Sequence, residues 1–297
     1  MRGFLKWAGG KKELVPHLAA YVPAKLRTYV EPFAGGAALF FALREHGVQF
    51  ERAVLCDVNA DLITCYTAVR DHVGDLIEAL QGYRYDRELF YSVRAIDAST
   101  LSTVDRAART IFLNRTCYNG LWRVNSRGQF NVPFGRYTDP KICNEPALRS
   151  ASAQLQGVDL VLGDFASVTR SLGARDFAYF DPPYVPVSRS ASFTAYTKAG
   201  FGPAEQTRLV KEFARLSQKG VRAVLSNADT SGTRDLYTDF SYTSVGVRRA
   251  INASADKRGK TPELIVLTAA LVPERPASAT RRQALKPKRA SRTRALA

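Results

Sequence analysis

The 297 residues predict an α/β fold: a doubly wound, mostly parallel sheet interrupted by one long insertion. Three observations predict it. Short β-rich apolar runs alternate with helix-patterned segments, the mark of strand–helix–strand units. Four of these runs end in a polar or acidic residue, Asp57, Asp164, Asp181 and Asn227. In open α/β sheets the ligand-binding groups gather at such carboxyl ends. Between the second and third runs the alternation stops for about a hundred residues, too long a stretch for a crossover.

The strands are expected at Tyr29–Phe33, Ala53–Val58, Leu160–Asp164, Ala178–Asp181, Ala223–Asn227, Thr243–Val247 and Leu264–Ala270. The last two read as an antiparallel edge pair. Within the insertion, residues 60–116 carry helical patterning and residues 117–150 are rich in Asn, Gly, Arg and aromatics. This divides the chain into one domain formed by residues 1–60 and 155–272, a separate helical and hairpin lobe at 61–154, and a tail at 273–297. The tail holds eight Lys/Arg against the single Glu274 and almost no large apolar residue. It is expected to be disordered.

Net charge is +16, and removing the tail still leaves the body at +9. A basic body with a basic tail points to a polyanion, most often nucleic acid. Cys56, Cys65, Cys117 and Cys143 contain no C-x-x-C pair and no matching His cluster. That argues against a zinc site and against a disulfide framework. With no long apolar segment at the start and no run of eighteen apolar residues, the expected location is the cytosol.

The sharpest motif is Asp181-Pro182-Pro183-Tyr184, which follows the apolar run Phe177-Ala178-Tyr179-Phe180. Each proline lacks an N–H and has a fixed φ, so neighbouring carbonyls can face a cleft rather than a ladder. A flat, aminated heterocycle suits such a corner: its NH₂ donates to Asp181 and to a backbone carbonyl, and its face stacks on Tyr184. Upstream, Tyr29-Val30-Glu31-Pro32-Phe33-Ala34-Gly35-Gly36-Ala37 reads as a strand, a glycine turn and a helix start. It is not the dinucleotide pattern G-x-G-x-x-G, so pyrophosphate binding is not implied. Asp57, about two dozen residues on, is placed to bridge ribose hydroxyls, and Asp164 to accept from an adenine amino group. Phe4-Leu5-Lys6-Trp7-Ala8-Gly9-Gly10-Lys11 adds Lys11 as a partner for a cofactor anion, and Trp7 to stack on that cofactor or to fill core.

Residues 114–137, NRTCYNGLWRVNSRGQFNVPFGRY, interleave glycine turns, aromatics and four arginines. This suits a hairpin or loop pressed against nucleic acid. Arg grips a guanine edge, Tyr wedges into a base step and Asn pairs with an orphaned base edge. A self-packed loop with solvated arginines is the plain alternative.

In this order, FLKWAGGK, VEPFAGG, DVN, the 114–137 block and DPPY resemble the bacterial DNA adenine-N6 methyltransferases, in particular the branch that modifies GATC. The resemblance runs from about residue 4 to about residue 270 and leaves out the tail. It implies a Rossmann-like class I methyltransferase fold with an inserted target-recognition domain, S-adenosylmethionine as cofactor and double-stranded DNA as partner. It carries cofactor roles onto Trp7, Lys11, Gly35, Asp57, Asp164 and Asp181, and catalytic roles onto Asp181, Pro182 and Tyr184. In the recognition block, Tyr118 matches an intercalating residue and Asn119 the one that fills the gap left by a flipped base. Arg123, Leu121 and Pro133 match readers of base pairs, Lys6 and Tyr137 match contacts to an outer guanine, and Arg136 a phosphate contact. No metal and no general-acid histidine are expected, His17, His46 and His72 each standing alone. A monomer is expected. Two other readings stay open: the same fold acting on RNA or a protein amide, and a binding protein that has lost catalysis.

Overall fold

The computed structural model describes residues 4–7, 11–184, 201–248 and 260–272. Its strands are β1 (Lys25–Glu31), β2 (Gln49–Asp57), β3 (Val158–Leu162), β4 (Phe177–Phe180), β5 (Arg222–Ala228), β6 (Ser241–Arg248) and β7 (Lys260–Leu267). The helices are α1 (Val15–Ala19), α2 (Ala38–Glu45), α3 (Ala60–Asp71), α4 (Val73–Gln81), α5 (Arg87–Ala95), α6 (Thr103–Thr116), α7 (Glu145–Leu155), α8 (Phe165–Thr169), α9 (Pro203–Gln218) and α10 (Ser231–Leu236).

All seven strands form one sheet in the order β3-β2-β1-β4-β5-β7-β6. β1 to β5 are mutually parallel, and β7 lies antiparallel between β5 and β6. This is the Rossmann-like, mostly parallel α/β fold expected. The chain steps outward from β1 to β3, then returns to place β4 on the other side of β1, through Tyr29↔Phe177 and Val30↔Ala178. That reversal makes a crevice beyond the carboxyl ends of β1 and β4, where such sheets bind ligands.

β4 is apolar along its whole length, and the inner parts of β1 and β5 are largely so, because both faces are covered. With a side-chain period of two, Tyr29, Phe177 and Tyr179 enter one core and Val30, Ala178 and Phe180 the other. The first core includes apolar faces of α2, α3, α4, α6 and α7, through residues such as Phe40, Tyr66, Leu76, Ile111 and Leu148. The second is closed by Phe165, Leu209, Phe213, Leu216 and Tyr237. A third, smaller cluster holds Phe90, Val93, Phe112, Leu113, Cys117, Trp122, Phe130 and Val132. Part of the insertion thus shares the core of the sheet, and part builds a core of its own.

Strand existence matches expectation, and the bounds differ for physical reasons. β1 starts at Lys25 and β2 at Gln49, earlier than an apolar reading finds, because their first residues pair in register while remaining partly exposed. β1 ends at Glu31, before Pro32, and β4 at Phe180, before Pro182: a proline cannot donate to a ladder. Asp164 is not in β3 but caps α8, accepting from the Ala166 amide at 2.9 Å. β7 begins in the polar stretch Lys260–Glu263 and stops at Leu267, followed by a single 3₁₀ turn, Ala269–Leu271, instead of running to Ala270. The basic tail and its expected disorder lie outside the described residues.

Candidate active site and recognition face

The corner at residues 181–184 is held from three strands and from the N-terminal segment. Asp181 Oδ1 receives Ser226 Oγ from β5 at 3.2 Å and faces Lys11 Nζ at 3.1 Å. Ser226 in turn meets Tyr179 OH at 2.9 Å. Both Asp181 contacts fall on one oxygen; among the described residues Oδ2 accepts no hydrogen bond. The Asp181 side chain is 24% exposed. Burial pushes its carboxyl above the ordinary range, and Lys11 pulls it back. Gln206 of α9 donates to the Pro183 carbonyl at 3.0 Å and so braces the second proline.

Lys11 is buried among three acceptors: Asp181, Glu263 Oε2 at 3.4 Å, and the Tyr184 hydroxyl. An ammonium has three donors, and here each has a protein partner. Burial alone would make Lys11 easier to deprotonate; Asp181, Tyr184 and Glu263 reverse that and hold it charged. The expected pairing of Lys11 with a cofactor anion is therefore not what this geometry offers. Its charge is directed at Asp181 and Glu263. The Tyr184 hydroxyl donates a hydrogen bond to Glu263 Oε1 at 2.7 Å, with the Lys11 ammonium 4.3 Å from the Tyr184 ring centre.

Across the crevice, the turn after β1 is tied to the end of β2. The Gly35 amide donates to Asp57 Oδ2 at 3.1 Å and the Asn59 amide to Asp57 Oδ1 at 2.9 Å. Tyr66 OH donates to the Gly35 carbonyl at 2.9 Å. Gly35 has φ +48°, which suits glycine, and a Cβ there would meet the Trp7 indole at 3.3 Å. Burial raises the Asp57 carboxyl against the opposing pull of these amides. Val58 and Leu162, at the ends of β2 and β3, expose half or more of their surface. Asp164 is bound on both oxygens by Arg208, which holds its carboxyl below the usual range, and the Arg208 guanidinium lies 4.2 Å from the Phe165 ring centre. An adenine amino group reaching Asp164 would compete with that pair.

The recognition block forms a short hairpin with antiparallel bridges Cys117↔Phe134 and Val124↔Phe130. Its base is fixed to the N-terminal segment by Asn114, whose side chain accepts from the Lys6 amide at 2.8 Å and donates to the Lys6 and Gly120 carbonyls at 3.0 and 3.1 Å. Gly120 is required there: with φ +64°, a Cβ would lie 2.7 Å from the Lys6 carbonyl. Tyr118, Asn119, Phe134, Arg136 and Tyr137 line an open groove of about 360 Å³. Tyr118 is 45% exposed, and Asn119 adopts the left-handed conformation, φ +55°, which Asn tolerates better than most residues. Lys6 Nζ donates to Tyr137 OH at 2.8 Å, and that hydroxyl donates to the Cys117 carbonyl at 2.8 Å. The structure thus gathers Lys6, Tyr118, Asn119, Arg136 and Tyr137. Leu121, Arg123 and Pro133 do not line this groove, and Arg123 is fastened to Asn131 Oδ1 at 2.8 Å. Trp7 stacks on Trp122 with ring centres 5.8 Å apart, joining the glycine turn to the hairpin core.

With this geometry in view, comparison with known proteins is decisive. Residues 7–251 match the family model described as D12 class N6 adenine-specific DNA methyltransferase. The chain belongs to this family. It is 39% identical over 274 residues to the Type II methyltransferase M1.LlaDCHI of Lactococcus lactis subsp. cremoris, covering 90% of this chain and 95% of the relative. It is likewise 39% identical over 277 residues to the Type II methyltransferase M.MjaIII of Methanocaldococcus jannaschii, covering 87% and 95%. The DNA adenine methylase of Escherichia coli is 34% identical over 270 residues, covering 90% and 95%. The chain is thus an adenine-specific DNA methyltransferase.

Sequence reasoning missed four residues that the structure brings to the site: Ser226, Glu263, Gln206 and Arg208. Ser226 and Glu263 lie inside strands β5 and β7, where nothing in a local motif sets them apart. His17, His46 and His72 are all exposed. Among the described residues, no group of three or more His, Cys, Asp or Glu is arranged to hold a metal ion, and no helix is long and apolar enough to cross a membrane.

Proposed function

We propose that this methyltransferase transfers the methyl of S-adenosylmethionine to N6 of an adenine flipped out of duplex DNA, within GATC, and that it works in the cytoplasm. The observation that carries the reading is the Asp181 corner, a partly buried carboxylate held by one oxygen with the other left to accept.

The chain offers S-adenosylmethionine a fitting cradle. The Gly35 turn, lacking a Cβ, packs closely on the Trp7 indole, Asp57 presents a carboxylate at the end of β2, and Val58 with Leu162 gives an exposed apolar surface for a purine. When bound, the cofactor supplies an electrophilic methyl on a positively charged sulfonium. In our reading Asp57 holds the ribose, and Trp7 walls the turn.

An adenine amino group is a poor nucleophile because its lone pair is delocalised into the ring, and in a duplex it must first be extruded at a cost of a few kcal/mol. Asp181 Oδ2 and the Pro182 carbonyl accept its two hydrogens, which draws N6 toward tetrahedral character and aims the lone pair. Tyr184 stacks on the ring, and Asp181, whose carboxyl burial makes more basic, takes the proton that N6 sheds. Lys11 keeps Asp181 oriented by its ammonium. Orientation of this kind contributes up to roughly 7–11 kcal/mol. On the DNA side, Tyr118 enters the stack, Asn119 fills the vacated position, Arg123 with Leu121 and Pro133 reads base pairs, Lys6 and Tyr137 meet an outer guanine, and Arg136 meets phosphate. We assign these recognition residues, Lys6 apart, to a target-recognition unit within 61–154, and the sheet at 1–60 and 155–272 to cofactor binding and catalysis.

The test is Asp181→Ala. Methyl transfer should fall by more than about a thousandfold, with affinity for a GATC duplex within threefold of the parent. Turnover near the parent rate would remove Asp181 from the mechanism.

A further inference from the structure

Glu263 is a fully buried carboxylate, 2% exposed, on β7, which among the described strands runs against the rest of the sheet. A buried acid is costly unless it is paired and hydrogen-bonded. Its two oxygens divide the work: Oε1 accepts from the Tyr184 hydroxyl at 2.7 Å, and Oε2 faces Lys11 Nζ at 3.4 Å. The Tyr184 hydroxyl also accepts from Lys11, so it is used as donor and acceptor together. A ring whose hydroxyl is engaged on both sides has little freedom to swing about its side-chain bonds. Lys11 in turn is shared by two acids, Asp181 at 3.1 Å and Glu263 at 3.4 Å.

From this geometry we propose that Glu263 is a positioning residue for methyl transfer, fixing the Tyr184 ring where the target adenine stacks and sharing Lys11 with Asp181 so that Asp181 is not locked in a closed ion pair. The inference rests on the reading of the Asp181 corner as the adenine site. Two consequences distinguish it from a purely structural role. With Glu263 neutralised, the Tyr184 hydroxyl loses its charged acceptor and Lys11 turns wholly to Asp181, so chemistry suffers while the cofactor cradle at Gly35 and Asp57, on the other side of the crevice, does not. The hydroxyl of Tyr184 and the charge of Glu263 also act through one hydrogen bond, so their losses should not multiply.

The experiment compares the full-length parent, E263Q, Y184F and the double variant on a GATC duplex. Single-turnover methyl transfer at saturating S-adenosylmethionine is read beside the cofactor Kd and the thermal midpoint. The expected result is a loss of about tenfold or more in E263Q, with the cofactor Kd within threefold. Y184F, which keeps the ring and both charges, should slow transfer on its own, and adding it to E263Q should cost less than a further twofold. E263D, with the charge restored, should recover part of the rate. E263Q or Y184F at the parent rate, or single losses that simply multiply in the double variant, would overturn the proposal. Should E263Q not fold, Y184F alone decides it, since that change leaves every buried charge in place. A parent protein that transfers no methyl to DNA overturns the site reading and this inference together; an active parent with indifferent variants overturns the inference alone.

Discussion

The two halves of the site are built on opposite principles. At the Asp181 corner the chemistry-bearing groups are buried or partly buried and cross-linked around three charges: Lys11, Asp181, Tyr184, Glu263 and Ser226 come from the N-terminal segment, β5, β7 and the end of β4. At the hairpin of residues 114–137 the groups are partly or fully exposed and paired within the hairpin, Arg123 with the Asn131 side chain and Tyr137 with the Cys117 carbonyl. The contrast teaches where rigidity is needed. A reacting amino group must be aimed within fractions of an ångström, whereas a hairpin in the DNA-reading role we propose would exchange its internal contacts for base edges.

The corner should therefore break abruptly and the hairpin gradually. The largest effect is expected for Lys11→Met. Removing the cation leaves Asp181 and Glu263 buried side by side, a loss of about 3–5 kcal/mol by analogy with other broken buried pairs. Denaturant unfolding should show that loss together with loss of turnover, and an unchanged midpoint would mean that the two acids are not balanced by Lys11.

Asp57→Ala comes next. It removes the acceptor of the Gly35 and Asn59 amides and, in our reading, the ribose partner. Cofactor affinity measured by calorimetry should weaken by about 2–3 kcal/mol, with DNA affinity unchanged. An unaltered cofactor Kd would move the cofactor away from this acid.

On the hairpin side, Arg123→Ala should relax discrimination at one base pair by about 1–3 kcal/mol. Competition between GATC and single-substituted duplexes measures it. Uniform weakening across all sequences would make Arg123 a phosphate contact.

The pH response belongs to the sheet side as well. Glu31 is buried beneath the glycine turn, accepting from Tyr29 OH at 2.6 Å and from the Phe40 amide at 2.8 Å. Burial pushes its carboxyl up to about 8 against these two hydrogen bonds. Because the folded value lies above the unfolded one, near 4.5, the folded state holds the proton more tightly. The stabilisation from this group is complete below about pH 4.5 and is lost as pH rises toward 8. Glu31→Gln should flatten the fall in thermal midpoint between pH 5 and pH 8.5, and an identical slope in parent and variant would contradict this.

The smallest effect is expected for Arg208→Ala. Its pair with Asp164 is about two-fifths exposed on both sides, so the stability change should stay below about 1 kcal/mol. A larger loss on denaturation would show that the pair is part of the core.

The same contrast explains what the sequence disclosed. Strand-end acids are legible because an apolar run must stop before its polar residue, and because prolines at 32, 182 and 183 mark the places where ladders end. Asp57 and Asp181 were found this way, with their strands. Asp164 was found too, but its role as a helix cap held by Arg208 was not, because that partner lies 44 residues away. Glu263 was invisible for a similar reason: it sits in Lys260–Leu267, whose polar start hides the strand, and its partners Lys11 and Tyr184 are 252 and 79 residues distant. In the hairpin, composition suggested a nucleic-acid role but gave no sign that Arg123 rests on Asn131, since side-chain pairings across a turn leave no periodic signal.

The most direct test of the whole account is transfer of labelled methyl from S-adenosylmethionine to two duplexes that differ only in GATC against GTTC. The account predicts label on the GATC duplex alone, recovered as N6-methyladenine. Equal label on both would contradict the assignment of the hairpin residues as readers of GATC, and label recovered on any other base atom would contradict the Asp181 mechanism.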